Sequence, residues 1–313
     1  MSLDNRTILQ KADFALSHLV ANGGLLQPLQ AKKFMRLSTT EALLLGQVTY
    51  RPMSRSREKI EQIKFGQRVL RAAQELTALT TAESVVPDIS KVELEAKKFK
   101  GRVNLSEETL SENIEEGDLR QTIMQLLAPA AGRDLEEVVI NGDTASADSF
   151  LAQFDGILVQ AQSNVVDAAG AQISEDLLHD MMRALPARYR KNKRQLRFYT
   201  AVDAEDDLRR SRADRSTPGG DKYLETDTPI VAAGTPVVGV PLFPDNLGAS
   251  TDQTNIILTH PKNIVVGAHR KISLQWKEDL ETDSIAIFVK LWADVKFAEE
   301  EGVVKAIAVK VGA

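Results

Sequence analysis

The chain has 313 residues, of which 43% are hydrophobic and 27% charged, a composition typical of a soluble globular protein with one or two domains. Its net charge of −5 argues against a protein whose whole surface binds nucleic acid. Cysteine is absent, which excludes disulfides, thiolate nucleophiles, cysteine-containing zinc sites and iron–sulfur clusters.

The N-terminal quarter is the basic part of the chain. Residues 1–74 hold 12 lysines and arginines against 5 acidic residues, and the remainder is net acidic. Apolar residues repeat at helical spacing within 5–21, which predicts a short amphipathic helix on an arm. The charge asymmetry favours contact with a polyanion or with an acidic surface of a neighbouring copy, and a solvated face is the alternative. The candidate contact residues of the arm are Arg6, Lys11, Lys32, Lys33 and Arg36.

Residues 46–100 have a different pattern, in which β-branched and charged residues alternate loosely. Turn signals occur at Pro52, at Gly66 and at Pro87-Asp88, and large apolar residues are few. We expect a long two-stranded excursion that projects from the body. An isolated hairpin is marginal in water, so this one would need a partner surface.

Two helices are predicted next. Ser106 precedes two glutamates, the signature of a helix N-terminus. A second helix runs from about Asp118, because apolar residues step by three and four until Asn141-Gly142-Asp143 ends the pattern. It is long enough to form a spine, and Pro129 could kink it.

The C-terminal half predicts shorter elements. They are a helix over 174–185 closed by Pro186, a strand over 197–201, a helix over 204–212, an irregular region over 216–246, and strands over 256–259, 264–276, 285–297 and 303–311. The fold class is α+β, with one long helix and a C-terminal antiparallel sheet.

Motifs for catalysis or cofactor binding are missing from the sequence. It has no nucleotide-binding glycine loop, zinc-binding helix, nucleophile elbow or calcium-binding loop. We therefore predict no enzyme activity, no cofactor and no metal site. Asp143, Asp148 and Asp155 fit no calcium loop and are expected in a solvated turn. The apolar stretch 230–243 is interrupted by glycine and proline, so no membrane contact is expected.

A second basic segment lies at residues 188–197. Its candidate residues are Arg188, Arg190, Lys191, Lys193 and Arg194. Aromatic residues make up only 5% of the chain, which disfavours a stacking platform for single strands. A solvated or subunit-contacting surface and a nucleic-acid contact both remain open.

The order of these elements resembles that of tailed-phage major capsid proteins with the Hong Kong 97 fold. The most specific local matches are Arg133 to Asp143 (RDLEEVVINGD), similar to the end of the family's spine helix, and Phe154 to Leu158 (FDGIL), similar to the next turn. Weaker matches follow in order, among them Gly239 to Pro244 (GVPLFP), and the resemblance covers about residues 40–311.

The resemblance implies a division into an N-terminal arm (1–45), an extended loop with its base (46–105), a peripheral domain with the spine helix (106–150), an axial domain (151–262) and C-terminal peripheral strands (263–313). It also implies hexamers and pentamers of a closed icosahedral shell around double-stranded DNA. The further implied partners are scaffolding, portal and decoration proteins, with assembly in the host bacterial cytoplasm and a final place in the virion.

Some members of this family join neighbouring subunits by an isopeptide bond from a lysine of the extended loop. Residues 72–90 contain no lysine, so we expect a shell without this cross-link. Two alternatives stay open from sequence. One is an encapsulin-type compartment that encloses a cargo enzyme, and the other is a DNA-binding or enzymatic module that uses the second basic segment.

Overall fold

The computed structural model describes residues 42–65, 68–70, 86–106, 119–213, 229–248, 251–269, 273–279 and 284–312. Its strands are β1 (Thr49–Met53), β2 (Arg57–Lys64), β3 (Asp88–Glu95), β4 (Lys97–Ser106), β5 (Val165–Asp167), β6 (Arg197–Thr200), β7 (Val231–Ala232), β8 (Thr235–Gly239), β9 (Gln253–Thr259), β10 (Ile264–His269), β11 (Ser273–Asp279), β12 (Ser284–Phe297) and β13 (Val304–Lys310). Its α-helices are α1 (Leu119–Asn141), α2 (Ile157–Gln160), α3 (Glu175–Ala184) and α4 (Val202–Ala213).

The first sheet is built around the long strand β12. Strand β4 runs antiparallel along one edge of β12, from Ala293 to Ser284. The other edge is shared by β10 and β11, and β1 adds to β10 in parallel. The C-terminal half of α1 packs on this sheet, with Val138, Val139 and Ile140 fully buried.

The second sheet has six strands in the order β5-β13-β9-β6-β8-β7. Helices α3 and α4 cover one face, where Met181 and Leu208 pack with Phe198 of β6. Tyr199, on the next position of β6, points into the core shared with the first sheet. The apolar interior is therefore continuous between the two sheets.

Strands β2 and β3 form a separate two-stranded sheet. They are antiparallel and pair from Arg57↔Glu95 to Lys64↔Asp88. We call this element the hairpin. The two-stranded pairing predicted within 46–100 is confirmed. The flanking strands β1 and β4 belong to the first sheet.

The long helix is confirmed over Leu119–Asn141, and Gly142 and Gly156 explain the motif that ends it. The Gly156 N–H donates to the carbonyl of Gly142 at 2.8 Å. A Cβ at Gly142 would lie 2.4 Å from the carbonyl oxygen of Phe154, and one at Gly156 would lie 2.7 Å from that of Ile140. Only glycine permits this close crossing of two backbones.

The strand predicted over 264–276 is described on either side of residues 270–272 as β10 and β11, which share one edge of β12. Two other expectations about the C-terminal half are wrong. The irregular region contains β7 and β8, joined by Ala233 and Gly234 with φ of 52° and 82°, as a tight type I′ hairpin turn requires. The single antiparallel sheet is instead two sheets, each containing parallel pairs.

The pairing of β13 also differs from the predicted division of the chain. Residues 263–313 were expected to form one group of peripheral strands, but β13 pairs with β9 and β5 in the second sheet. The helix predicted over 5–21, the helix after Ser106 and residues 71–85 of the extended loop lie outside the described residues. In the described ranges, no helix is both long and apolar enough to cross a bilayer.

Candidate assembly surfaces and the second basic segment

The hairpin presents one face to solvent. Arg57 pairs with Glu95 at 2.9 Å and Lys91 with Glu61 at 3.2 Å, both on this face. At the far end of the same face, Ile63 lies opposite Ile89. Ile63 is 67% exposed and Ile89 is 52% exposed. The far-end apolar patch comprises Ile63, Phe65, Val69, Leu70, Val86 and Ile89.

This distribution separates the two ends of the hairpin by chemistry. The end near the body is charge-paired with itself, and the far end offers apolar side chains that no described part of the chain covers. Exposed apolar side chains grouped at one end of an element are a common mark of a protein–protein contact.

The base of the hairpin is held by a small apolar cluster and a buried carboxylate. Met53, Leu94, Ala96 and Val265 are buried together beneath it. Asp294 of β12, only 2% exposed, accepts the backbone N–H of Glu95 at 2.6 Å. The hairpin is thus joined to the first sheet through buried contacts as well as through the chain.

The segment that follows the N-terminal arm is fixed in a similar way. Glu136 of α1 is 2% exposed and accepts the N–H groups of Leu44 and Leu45 at 3.1 and 3.2 Å. Burial raises the pKa of Glu136, although both hydrogen bonds favour its charged form. The point where residues 1–41 join the body is therefore set against the spine helix. The arm candidates Arg6, Lys11, Lys32, Lys33 and Arg36 lie outside the described residues.

A groove of about 300 Å³ runs between α1 and the first sheet. Leu127, Ala131 and Leu135 form one wall, and Phe99 and Val289 form the other. Lys100 and Arg102 also border the groove, and their cationic groups lie over the ring of Phe288. Leu126 on the same helix is 70% exposed.

The structure brings the second basic segment together as an exposed turn, Arg190–Gln195. Arg188 is committed to an ion pair with Glu301 and lies against the ring of Tyr189. The segment is tied down where the hydroxyl of Thr235 donates to the carbonyl of Lys193 at 2.9 Å.

The remaining cations of this segment are accessible. Lys191, Lys193 and Arg194 are exposed and Arg190 is partly buried, and none of them forms an ion pair with a described residue. Such a cluster can bind a polyanion or an acidic protein surface.

The acidic turn after α1 is structural. Asp143, Asp148 and Asp155 accept backbone N–H groups of Ala145, Phe150 and Thr144 respectively. The bond from Thr144 lowers the pKa of Asp155. No group of three metal-ligating side chains occurs in the part of the chain that the structure describes.

Sequence reasoning missed the two buried carboxylates, Asp294 and Glu136. A weak signal existed for Glu136, which shares a helical face with Val139 and Ile140 and so interrupts an apolar stripe. Asp294 follows Ala293 and precedes Val295 in a long strand, and nothing local marks it as buried.

Solved structures with a similar fold cover nearly the whole chain. The satellite phage P4 procapsid including size determination (Sid) protein has a TM-score of 0.68 at 13% identity, covering 97% of this chain and 98% of that one. The capsid of a native GTA particle has a TM-score of 0.65 at 15% identity, covering 87% and 90%. The SrpI encapsulin of Synechococcus elongatus PCC 7942 has a TM-score of 0.61 at 14% identity, covering 86% and 88%. These similarities confirm the α+β fold of the Hong Kong 97 type.

Sequence comparison identifies the protein family of the chain. YqbE of Bacillus subtilis (strain 168), a protein named as a prophage capsid protein, is 39% identical over 310 residues, which is 98% of this chain and 99% of that protein. Residues 22–306 match the phage capsid family. The chain therefore belongs to the phage capsid family.

Proposed function

We propose that the chain is the major capsid protein of a tailed bacteriophage, assembling with copies of itself into the icosahedral head shell that encloses the genome. The observation that carries the proposal is the far-end apolar patch of the hairpin, which no described part of its own chain covers. A neighbouring copy would cover it in a shell. Family membership and the near-complete coverage of a prophage capsid relative support the same conclusion.

The two sheets suit the two domains of such a subunit. We assign the first sheet and α1 to a peripheral domain and the second sheet, with α3 and α4, to an axial domain. The axial domain then takes β13 as well, because β13 pairs with β9. The hairpin is the described part of the extended loop.

We also propose specific binding partners for the shell. Double-stranded DNA or an acidic neighbour would contact Arg190, Lys191, Lys193 and Arg194, which are free of ion pairs with described residues. Arg188 is less suited because Glu301 neutralises it. Scaffolding, portal and decoration proteins would join the assembly, which would take place in the host cytoplasm and without enzymatic chemistry in this subunit.

An encapsulin-type compartment is the second candidate, since the SrpI encapsulin shares the fold over 86% of this chain. The prophage capsid relative YqbE, 39% identical over 98% of this chain, favours the phage shell. The ultraviolet absorbance of purified native particles separates the two. A nucleic-acid spectrum supports a genome container, and a protein spectrum with a copurifying enzyme supports the compartment.

The experiment for shell formation is negative-stain electron microscopy of the purified chain. We expect closed shells, tubes or ring-shaped capsomers. A clean monomer with salt-sensitive DNA affinity and no assembly under any condition would contradict the proposal and support a DNA-binding module instead.

A further inference from the structure

The chain changes sheets within three residues at the base of the hairpin. Glu95 is the last residue of β3 and pairs with Arg57 in the hairpin, whereas Lys97 is the first residue of β4 and pairs with Ala293 of β12. Ala96 between them is buried, and its N–H donates to the carbonyl of Ser56 at 2.9 Å. This junction is one of the two places where the hairpin joins the first sheet, and the other is the link from β1 to β2.

Asp294 lies directly beside the junction and uses both carboxylate oxygens there. Its Oδ2 accepts the N–H of Glu95 at 2.6 Å, and its Oδ1 accepts its neighbour Val295's N–H at 2.8 Å. The first bond joins β12 to the last residue of the hairpin, one step beyond the end of the β4–β12 ladder. The Asp294 side chain therefore adds a hydrogen bond between the first sheet and the hairpin beyond the last paired residues of β4 and β12.

The surroundings favour a fixed geometry. Asp294 is opposite Gly267 in β10, where a Cβ would lie 2.7 Å from the sulfur of Met53 and 3.1 Å from a methyl carbon of Leu94. Because Gly267 has no side chain, Met53 and Leu94 can pack closely beneath the hairpin. Burial raises the pKa of Asp294, so holding a charge here is unfavourable unless the hydrogen bonds compensate.

We propose that Asp294 is a positioning residue for shell assembly: it fixes the direction in which the hairpin leaves the first sheet, and so the angle at which the far-end apolar patch meets a neighbouring copy. This inference rests on the proposed function. The contact between Asp294 and Glu95, however, can be tested in the unassembled subunit.

Asp294→Asn is the informative variant. Asparagine has nearly the same shape, but only its oxygen accepts a hydrogen bond, and its amide group would face an N–H donor. It cannot satisfy both Glu95 and Val295. Glu95→Gln is the matched control, because it removes the exposed ion pairs to Arg57 and Lys97 at the same junction and leaves the backbone N–H bond in place.

Hydrogen exchange in the unassembled subunit tests the contact. In Asp294→Asn we expect the Glu95 amide and the β2–β3 amides to exchange about tenfold faster or more, with the second sheet unchanged. Glu95→Gln should leave these rates within about twofold of wild type. Unchanged hairpin rates in Asp294→Asn would overturn the inference. An equal acceleration in the second sheet would also overturn it, since Asp294 would then contribute only to global stability.

Electron microscopy tests the consequence for assembly. Wild type and Glu95→Gln should give shells of one diameter, and Asp294→Asn should give open or mixed-diameter particles. Shells of wild-type diameter from Asp294→Asn, with faster hairpin exchange, would show that the contact does not set the assembly angle and overturn the inference. If wild type itself forms no shell, the proposed function fails instead.

Discussion

The hairpin and the second sheet are both formed by hydrogen-bonded strands, but they differ in how much of the chain packs against them. In the second sheet, β6 and β9 are covered on one face by α3 and α4 and on the other by the core shared with the first sheet, so that Phe198, Tyr199 and Leu258 are fully buried. In the hairpin, Ile63 and Ile89 are more than half exposed, and surface ion pairs line the same face. A two-stranded ribbon with one open apolar end gains little stability from its own chain. The second sheet is covered by other parts of its own chain, whereas we propose that a neighbouring copy completes the hairpin.

The largest expected effect lies in the second sheet. Phe198→Ala should lower the free energy of unfolding of the subunit by about 3–5 kcal/mol, because it empties space that the surrounding core cannot fill. Val165→Ala on the half-exposed edge strand β5 is the control and should change it by less than about 1 kcal/mol. Urea unfolding measures both. A loss below about 1 kcal/mol for Phe198→Ala would mean that the second sheet is not a closed core.

The opposite pattern is expected at the far end of the hairpin. Ile63→Ser with Ile89→Ser should leave the unfolding free energy of the subunit within about 0.5 kcal/mol, because both side chains are already largely in water. Shell formation should weaken by about 2–3 kcal/mol per hairpin contact, seen as a higher protein concentration needed for assembly. Light scattering against concentration measures this, and assembly at the wild-type concentration would contradict the role given to the patch.

A smaller effect is expected in the pH dependence of the unfolding free energy, which should differ between a buried and an exposed carboxylate. Burial raises the folded-state pKa of Glu136, so its contribution to stability is fully present below its ordinary pKa of 4.5 and is lost as pH rises through the folded value. Glu136→Gln keeps an oxygen for Leu44 and Leu45 and does not titrate. The unfolding free energy of wild type minus that of Glu136→Gln should therefore fall from pH 4 upward. Glu61→Gln in the hairpin controls for losing an exposed carboxylate, and a rising difference for Glu136→Gln would contradict the burial argument.

The smallest effect concerns the ion pairs of the hairpin. Lys91→Glu places two like charges together at Glu61 and should destabilise the hairpin by about 0.5 kcal/mol. The double exchange Glu61→Lys with Lys91→Glu should restore it. Hydrogen exchange of the β2 and β3 amides reports the difference, and high salt should reduce it. No recovery in the double exchange would mean that the pair is not coupled.

Local patterns predicted the elements that local physics determines. Apolar spacing predicted the start of α1 within one residue and its end at Asn141, and alternation with few large apolar residues identified the hairpin. The pairing of β13 with β9 could not be read in this way, because strand order depends on contacts between residues far apart in sequence. Glycine and proline in 230–243 concealed β7 and β8, where Ala233 and Gly234 make a turn within the sheet rather than a loop.

The candidate site was predicted only in part. The exposed cations at 190–194 were identified by composition, but the neutralisation of Arg188 by Glu301 joins residues more than a hundred positions apart. Asp294 and Glu136 were missed because their importance comes from burial and from the backbone groups that the fold brings to them.

Hydrogen exchange of the same hairpin amides before and after assembly tests the central claim most directly. The β2 and β3 amides should exchange readily in the unassembled subunit and about a hundredfold more slowly in shells, while those of β6 and β9 are equally slow in both. Equal protection of the hairpin in the two states would contradict the claim that a neighbouring copy completes it.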